Sequence, residues 1–576
     1  MSKSESPGGE ISRRTLLQAA TVLAVVPTVV SKVSASEPSA DTPPEPPPPP
    51  PPTTTPPPTT AAAPRQRFWT TEISTGRVMG LAQAEVKQFK GIPYGASTGG
   101  YNRYLPPRRA ASWTGVRECF AHGPISPQGL DSLDSEYGRL INWDQHPGGM
   151  GENCLTLNVW TPTLDRNAKK AVLVSFHGGG WATGSGNQLG FDGAMMAHTR
   201  DVVVVTVNHR LNVFGYLNLY DLGAPEELRY AGVCGVMDLA ASLQWVRDNI
   251  ESFGGDPGCV MIFGQSGGGA KTSVTLSNPA AKGLFHRAAV QSGSALRLAD
   301  NARAAQNAEL LLNALNIPLD NIEAIQRKSW HEILQASLSL TPPPGSTGAV
   351  GFSPVLDGKY LTHQPFDPSA PVESENVPLI VSSTLHDSAI GLTNFNLDDA
   401  GLREAIVKRY GEANADAIIA AQKAARPQDS NYLIQASAFT DGSRGAATYV
   451  QAERKAAQGK APVWVYEWDW ISTMADAKFG AVHGIDVSAS FNNARDAMLS
   501  TGAAEGKRIG GQFSATWAAF AKTGNPNNPE IPEWPAFDAD KRAIMVFDKE
   551  TRVVNDHRGE LIRQAVAAAA SIAPKP

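Results

Sequence analysis

A glycine-flanked serine is the first feature of this chain that could do chemistry. The stretch Phe263-Gly264-Gln265-Ser266-Gly267-Gly268-Gly269 contains G-x-S-x-G. A strand-like run, Val260-Met261-Ile262-Phe263, precedes it, and a helix pattern through Thr275 follows. A nucleophile elbow needs that strand–turn–helix setting, because the serine sits in a strained backbone conformation and glycines two residues to either side avoid clashes. Gly95-Ala96-Ser97-Thr98-Gly99 matches the same pattern in a loop with neither flank, so Ser97 reads as structural. The stretch also approaches a P-loop through Gly264, Gly269, Lys271 and Thr272. Ala270 stands where the lysine must directly follow the glycine, so an NTPase reading fails.

Two further segments supply what a serine nucleophile requires. His177-Gly178-Gly179-Gly180-Trp181 directly follows the apolar run Ala171–Phe176. Ester cleavage develops negative charge on the carbonyl oxygen, and backbone N–H groups aimed at that point stabilise it by a few kcal/mol each. Three glycines let the backbone approach a substrate with no side chain in the way, as in an HGGG-type oxyanion loop. An acid and a histidine should follow the serine in that order. Of the histidines beyond Asp387, His483 lies in a small-residue loop after the run Val463–Trp468, whereas His557 lies in Asn555-Asp556-His557-Arg558, which reads as solvated surface. His483 is therefore the expected base. Asp387 follows the run Val377–Ser382, at the carboxyl end of a strand, where α/β sites gather. Asp357, in Val355-Leu356-Asp357-Gly358, is the alternative acid and reads more naturally as a turn aspartate. His386 is read as a mere neighbour of Asp387.

These groups need a scaffold, and the patterning describes one. From about Phe68, short apolar β-branched runs alternate with helical segments. Val202 through Val207 is almost wholly apolar, as a strand buried on both faces would be. Met237–Ile250 carries Leu239, Leu243, Val246 and Ile250 on one helical stripe. The alternation predicts a mostly parallel central sheet covered by helices, with helical insertions such as 301–338; an elbow and a glycine loop set on such a sheet are those of an α/β-hydrolase fold. Hydrophobic residues are 42% of the 576, which excludes wholesale disorder. The net charge of −5 offers no basic excess, so nucleic acid is not an expected partner. Four cysteines without a C-x-x-C pair exclude a disulfide scaffold and speak against structural zinc.

The N-terminus reads as an address and a tether. Ser12-Arg13-Arg14-Thr15-Leu16-Leu17-Gln18 resembles a Tat export signal, with small residues for cleavage after Ala35. The apolar stretch from Leu16 to Val30 holds Gln18 and Pro27 and is short for a membrane span; an uncleaved leader would be an anchor. Residues 36–66 are rich in Pro, Thr and Ala, with Pro46 through Pro52 unbroken, and read as a linker of polyproline character. Residues 67–576 are expected to form one α/β-hydrolase domain. The chain is thus expected to be exported, periplasmic or secreted, with no stable membrane span after cleavage.

Together the segments resemble the type-B carboxylesterase family, which includes the cholinesterases, over about residues 70–560. Gly76-Arg77-Val78-x-Gly80 and Phe89-Lys90-Gly91-Ile92-Pro93-Tyr94 look like its opening strands. Gly151-Glu152-Asn153-Cys154-Leu155-Thr156-Leu157-Asn158-Val159 is similar to its E-D-C-L-x-L-N-V signature. Phe253-Gly254-Gly255-Asp256-Pro257 and Trp517-x-x-Phe520-Ala521-x-Thr523-Gly524-Asn525-Pro526 also fit. The resemblance implies Ser266 as nucleophile, His483 as general base and then acid, and Asp387 as orienting acid. It implies an oxyanion hole from the N–H groups of Gly179, Gly180 and Gly267, and Ser292 as a supporting serine. It also implies no metal or cofactor.

Four positions depart from the family pattern. Asp387 replaces the usual Glu and must come from a backbone closer to His483. Gln265 replaces the Glu that often precedes the nucleophile, which weakens a cationic-substrate reading. Ser126 stands where Cys154 would find its disulfide mate, and four free thiols suit a protein folded before export. Gly267 stands where Ala is common. The expected reaction is hydrolysis of small uncharged esters through a covalent serine ester. Trp181 and Trp143 are candidates for an apolar pocket or, equally, for ordinary core. The alternatives are an inactive binding or adhesion module, or an amidase or acyltransferase using the same triad.

Overall fold

The computed structural model describes residues 67–130, 135–141, 147–342 and 349–572. The expected leader, the linker and Trp143 lie outside them. Among the described residues thirteen strands form one sheet: β1 (Phe68–Ile73), β2 (Gly76–Gln83), β3 (Val86–Pro93), β4 (Val116–Glu118), β5 (Thr156–Thr161), β6 (Lys170–Phe176), β7 (Val203–Val207), β8 (Gly255–Gln265), β9 (Arg287–Gln291), β10 (Leu379–Thr384), β11 (Val463–Trp468), β12 (Ala543–Phe547) and β13 (Arg552–Asn555). Their order is β1-β2-β3-β5-β7-β6-β8-β9-β10-β11-β12-β13, with β4 beside β2. From β7 to β12 every neighbouring pair is parallel, and the antiparallel pairs lie toward the two edges.

The all-apolar runs follow from burial on both faces. Successive side chains of a strand point to opposite sides. Val203, Val205 and Val207 join Val172, Val174 and the stripe Leu239, Leu243, Val246 of the helix Cys234–Asn249 in one core. Val204, Leu173, Met261 and Phe263 join Phe513, Trp517 and Phe520 of the helix Ala504–Thr523 in the other. Each such side chain contributes about 1.5–3 kcal/mol by leaving water.

The strand over 377–382 begins two residues later than expected. Pro378 has no N–H to give to a ladder, and the first inward donor is Leu379 N–H, to Pro462 O at 3.1 Å. The insertion consists of two helices, Asn301–Ala314 and Trp330–Leu338, joined by a 3₁₀ segment, Leu319–Arg327. It buries a separate apolar cluster with Tyr104 and Phe214 rather than joining the sheet cores. Arg103 ties it down, donating to Ile325 O, Gln326 O and Lys328 O while forking onto both Glu152 oxygens. Among the described residues no helix is long and apolar enough to cross a membrane.

All four cysteines are free, and Cys119 and Cys154 are both buried in the first core. Burial pushes both thiols up to about 12, far from the thiolate form that reacts. At the expected disulfide position, Ser126 Oγ instead accepts Leu211 N–H at 3.1 Å.

Candidate active site

The parallel strands end at one edge of the sheet, and that edge gathers the chemical groups. β6 runs into His177–Gly180, β8 into Ser266, β9 into Ser292 and β10 into the turn that carries Asp387. Ser266 sits between β8 and the helix Gly267–Leu276 at φ 59° and ψ −122°. This positive-φ conformation is strained for a residue with a Cβ. It is held by Ser266 N–H donating to Gln291 O at 2.8 Å, across to the end of β9. Gly268 has to be glycine: a Cβ there would lie 2.0 Å from Phe176 O. Ser266 is half-buried and opens onto a cleft of about 250 Å³ shared with Ser292, Gly293 and Arg444. Its Oγ has no hydrogen-bond partner among the described residues.

His483 and Asp387 meet in the interior beside it. Both are buried, and His483 Nδ1 is hydrogen-bonded to Asp387 Oδ1. An ionised carboxylate only accepts, so Nδ1 carries the proton and Nε2 is left as an acceptor. Nε2 lies 3.1 Å from Gln265 Nε2. The shorter acid reaches the ring because the two backbones are paired: His386 and Val482, the residues before Asp387 and His483, form a parallel β-bridge, with His386 N–H donating to Ala481 O at 3.0 Å. Thr384 N–H donates to Asp387 Oδ2 at 3.2 Å. Tyr137 Oη donates to His483 O at 2.5 Å and fixes the histidine loop from the other side.

Burial alone would push Asp387 up. The charge and hydrogen bond of His483 outweigh it, with Arg444 at 3.5 Å adding to them, and hold the carboxyl below its ordinary value. Ser292 Oγ, buried and outside hydrogen-bond geometry, adds the smallest of these contributions. Three residues beyond His483, Asp486 is buried under Tyr466 Oη at 2.6 Å and Gln291 Nε2 at 3.0 Å. Desolvation, the largest effect, raises it.

The glycine loop packs directly onto the elbow. Gly179 and Gly180 have φ of 84° and 60° and are exposed. A Cβ on Gly267 would lie 2.2 Å from Gly180 O and 2.4 Å from Gly180 N. The glycine at 267 thus does more than preserve an N–H: it lets the loop close down. Behind the loop, Lys271 Nζ donates to His177 O at 2.8 Å. Burial lowers Lys271 to about 7.

The remaining candidates fall elsewhere. Ser97 is exposed in a loop. Asp357 caps a turn, accepting from Tyr360 N–H and Leu361 N–H. His386 Nδ1 accepts from Ala481 N–H, and its Nε2 faces Asp429 at 3.2 Å. His557 is not solvated surface. It is largely buried in an ion network with Asp469 at 3.4 Å and Glu467 at 3.9 Å, beside Arg558. Local polarity hid this, because the partners come from the end of β11 and the residues just after it, about 90 residues earlier in the chain. Trp181 packs edge-on to Tyr216, with ring centroids 5.2 Å apart, and lines a cavity of about 340 Å³ with Ala299 and Phe352. Tyr137 and Arg444 carry no local motif that could have marked them.

A mostly parallel sheet gathering a serine elbow, an acid–histidine pair and a glycine loop at its carboxyl edge is the architecture of the α/β hydrolases. Within that class, the model of the carboxylesterase family matches residues 69–563, and the chain belongs to that family. Over 497 residues it is 31% identical to the para-nitrobenzyl esterase of Bacillus subtilis (strain 168), covering 84% of this chain and 96% of that one. It is 29% identical to the phenmedipham hydrolase of Pseudarthrobacter oxydans, covering 83% and 94%. A carboxylesterase of Geobacillus stearothermophilus superposes with a TM-score of 0.74 at 31% identity, covering 86% of this chain and 99% of that one. The protein is a carboxylic-ester hydrolase.

Proposed function

We propose that Ser266, His483 and Asp387 act as a catalytic triad in ester hydrolysis through a covalent acyl-enzyme. The observation that carries this is the buried hydrogen bond between His483 and Asp387 beside a strained, cleft-facing Ser266. Ser266 Oγ attacks the ester carbonyl as His483 Nε2 takes its proton, which requires Nε2 to exchange Gln265 for Ser266 as its donor. Negative charge on the carbonyl oxygen is held by the N–H groups of Gly179, Gly180 and Gly267. The imidazolium then protonates the departing alcohol. Water, deprotonated at Nε2, attacks the acyl carbon and frees the acid and Ser266. Asp387 keeps Nδ1 protonated throughout and stabilises the imidazolium, with Ser292 in support. The substrates are small-molecule esters.

A fluorophosphonate probe tests the reading. It should label wild type at Ser266, and Ser266→Ala should abolish both label and ester turnover. Full activity in Ser266→Ala would sink the triad assignment.

The same proposal extends to the N-terminus: a Tat-type leader, residues 1–35, sends the folded enzyme across the membrane, and 36–66 tethers it. N-terminal sequencing of the exported protein should begin at Ser36; an intact Met1 would make the leader an anchor.

A further inference from the structure

Arg444 is the one charged residue among those lining the cleft that Ser266 opens onto; the others are serines, alanines and glycines. Its side chain keeps 40% of its exposure, and its Nε lies 3.5 Å from Asp387 Oδ1, a charge contact rather than a hydrogen bond. Among the described residues no hydrogen bond engages its guanidinium. A guanidinium carries five N–H donors in a planar fork. Those donors stand unspent within one small cleft of Ser266.

The placement is built. Residues Asp441–Gly445 form a single π-helical turn between the helices Asn431–Thr440 and Ala446–Ala457. Asp441 at its start is pinned by Arg558 Nη2 at 2.6 Å and Gln422 Nε2 at 2.5 Å. Thr448 just after it donates to Ser382 O in β10 at 3.0 Å. The turn that carries Arg444 is thus tied to the strand that leads to Asp387. The position also costs the triad something. A cation beside Asp387 competes with the His483 imidazolium for the same negative charge, which a neutral residue would not do.

We propose that Arg444 is a carboxylate-binding residue of the substrate cleft, and that the preferred substrates are esters carrying a free carboxylate near the scissile bond. This rests on the reading of Ser266 as nucleophile, and it narrows the expectation of uncharged esters. A substrate carboxylate fits the fork through two N–H donors, as guanidinium–carboxylate pairs do. Bound there, it neutralises the charge that otherwise draws on Asp387. The carboxylate can belong to the acyl or the alcohol part, and the test separates the two.

Two matched pairs of esters serve, each rate divided by the rate with hydroxide. Mono(4-nitrophenyl) adipate against the 4-nitrophenyl ester of adipamic acid places the carboxylate, or a neutral carboxamide, on the acyl side. 4-Acetoxybenzoate against 4-acetoxybenzamide places it on the alcohol side. Wild type should prefer the carboxylate member of at least one pair about tenfold or more in kcat/KM, as a charge-assisted pair implies. Arg444→Gln should bring that ratio to about one, and Arg444→Lys should keep part of it. The ratio should also fall as salt rises, because the site is half-exposed. Turnover of the carboxamide esters with no charge preference in either pair would overturn this proposal and leave the esterase reading intact. So would an Arg444→Gln variant that lowers all four rates equally, since Arg444 would then act only through Asp387. Turnover of none of the four would overturn both.

Discussion

Gln265 Nε2 lies 3.1 Å from His483 Nε2, so the imidazole is held between a carboxylate on one nitrogen and an amide on the other. The amide donates to the neutral ring, while Gln265 Oε1 is buried without a partner. That free oxygen is the acceptor the ring needs once it is an imidazolium, if the amide turns over. A glutamate there can only accept, and its charge favours the imidazolium. Gln265→Glu should therefore move the acid limb of the kcat/KM profile upward by about one pH unit or more and depress activity near neutrality. An unmoved acid limb would mean that this contact is absent from the working enzyme.

The acid differs from its family pattern by one methylene, and the backbone accommodates the difference. Because the His386–Val482 bridge fixes the two main chains, a longer side chain has no room to extend. Asp387→Glu should lose activity although it restores the usual residue, by crowding a fully buried site. Asp387→Asn should cost roughly 10⁴ in kcat, since the amide favours the wrong tautomer of the histidine. Asp357→Asn removes a charge but keeps an acceptor oxygen for the Tyr360 and Leu361 N–H groups and should leave kcat within a few fold. Steady-state kinetics on a neutral 4-nitrophenyl ester reads all three.

These contrasts mark what local pattern can carry. The strands β6 and β7 were legible because burial on both faces demands unbroken apolar runs. Ser266 was legible because an elbow needs its glycines at fixed offsets. The burial of His557 is not legible, since its partners Glu467, in β11, and Asp469, just after it, lie far off in the chain and nothing in Asn555–Arg558 encodes them. Arg444 and Tyr137 were invisible for the same reason: each reaches the site through tertiary packing alone. Lys271 was in plain view as a failed P-loop lysine, but its burial could not be read without the fold.

Gly267 allows a direct test of the glycine loop. A methyl group there would meet Gly180 O at 2.2 Å, and both atoms are backbone-bound, so the loop must shift. Gly267→Ala should lower kcat by roughly 10²–10³, the usual effect of losing an oxyanion donor, even though Ala is common at this position in the family. Phosphonylation of Ser266 should slow in parallel, because that adduct uses the same donors. Unchanged kcat would show that the loop relaxes freely and that the tight contact has no catalytic consequence.

Lys271 ties the same loop to the pH dependence of stability. Its Nζ holds His177 O at 2.8 Å, and burial lowers it to about 7 from an ordinary 10.5. Between those values the unfolded chain binds a proton that the folded chain lacks, so this residue makes stability rise with pH from about 7 to about 10.5. Below about 7 both states are protonated, and the folded state bears the full cost of the buried charge, on the order of a few kcal/mol. Lys271→Met removes that slope and also leaves His177 O without its donor, a loss of about 1–3 kcal/mol. The variant should therefore be the less stable protein at pH 9.5, and the gap should close or reverse by pH 7. Urea midpoints of both proteins at the two pH values measure it, with the other titrating groups cancelling in the difference. A gap that stays constant with pH would place Lys271 at its ordinary value and remove it from the account of the loop.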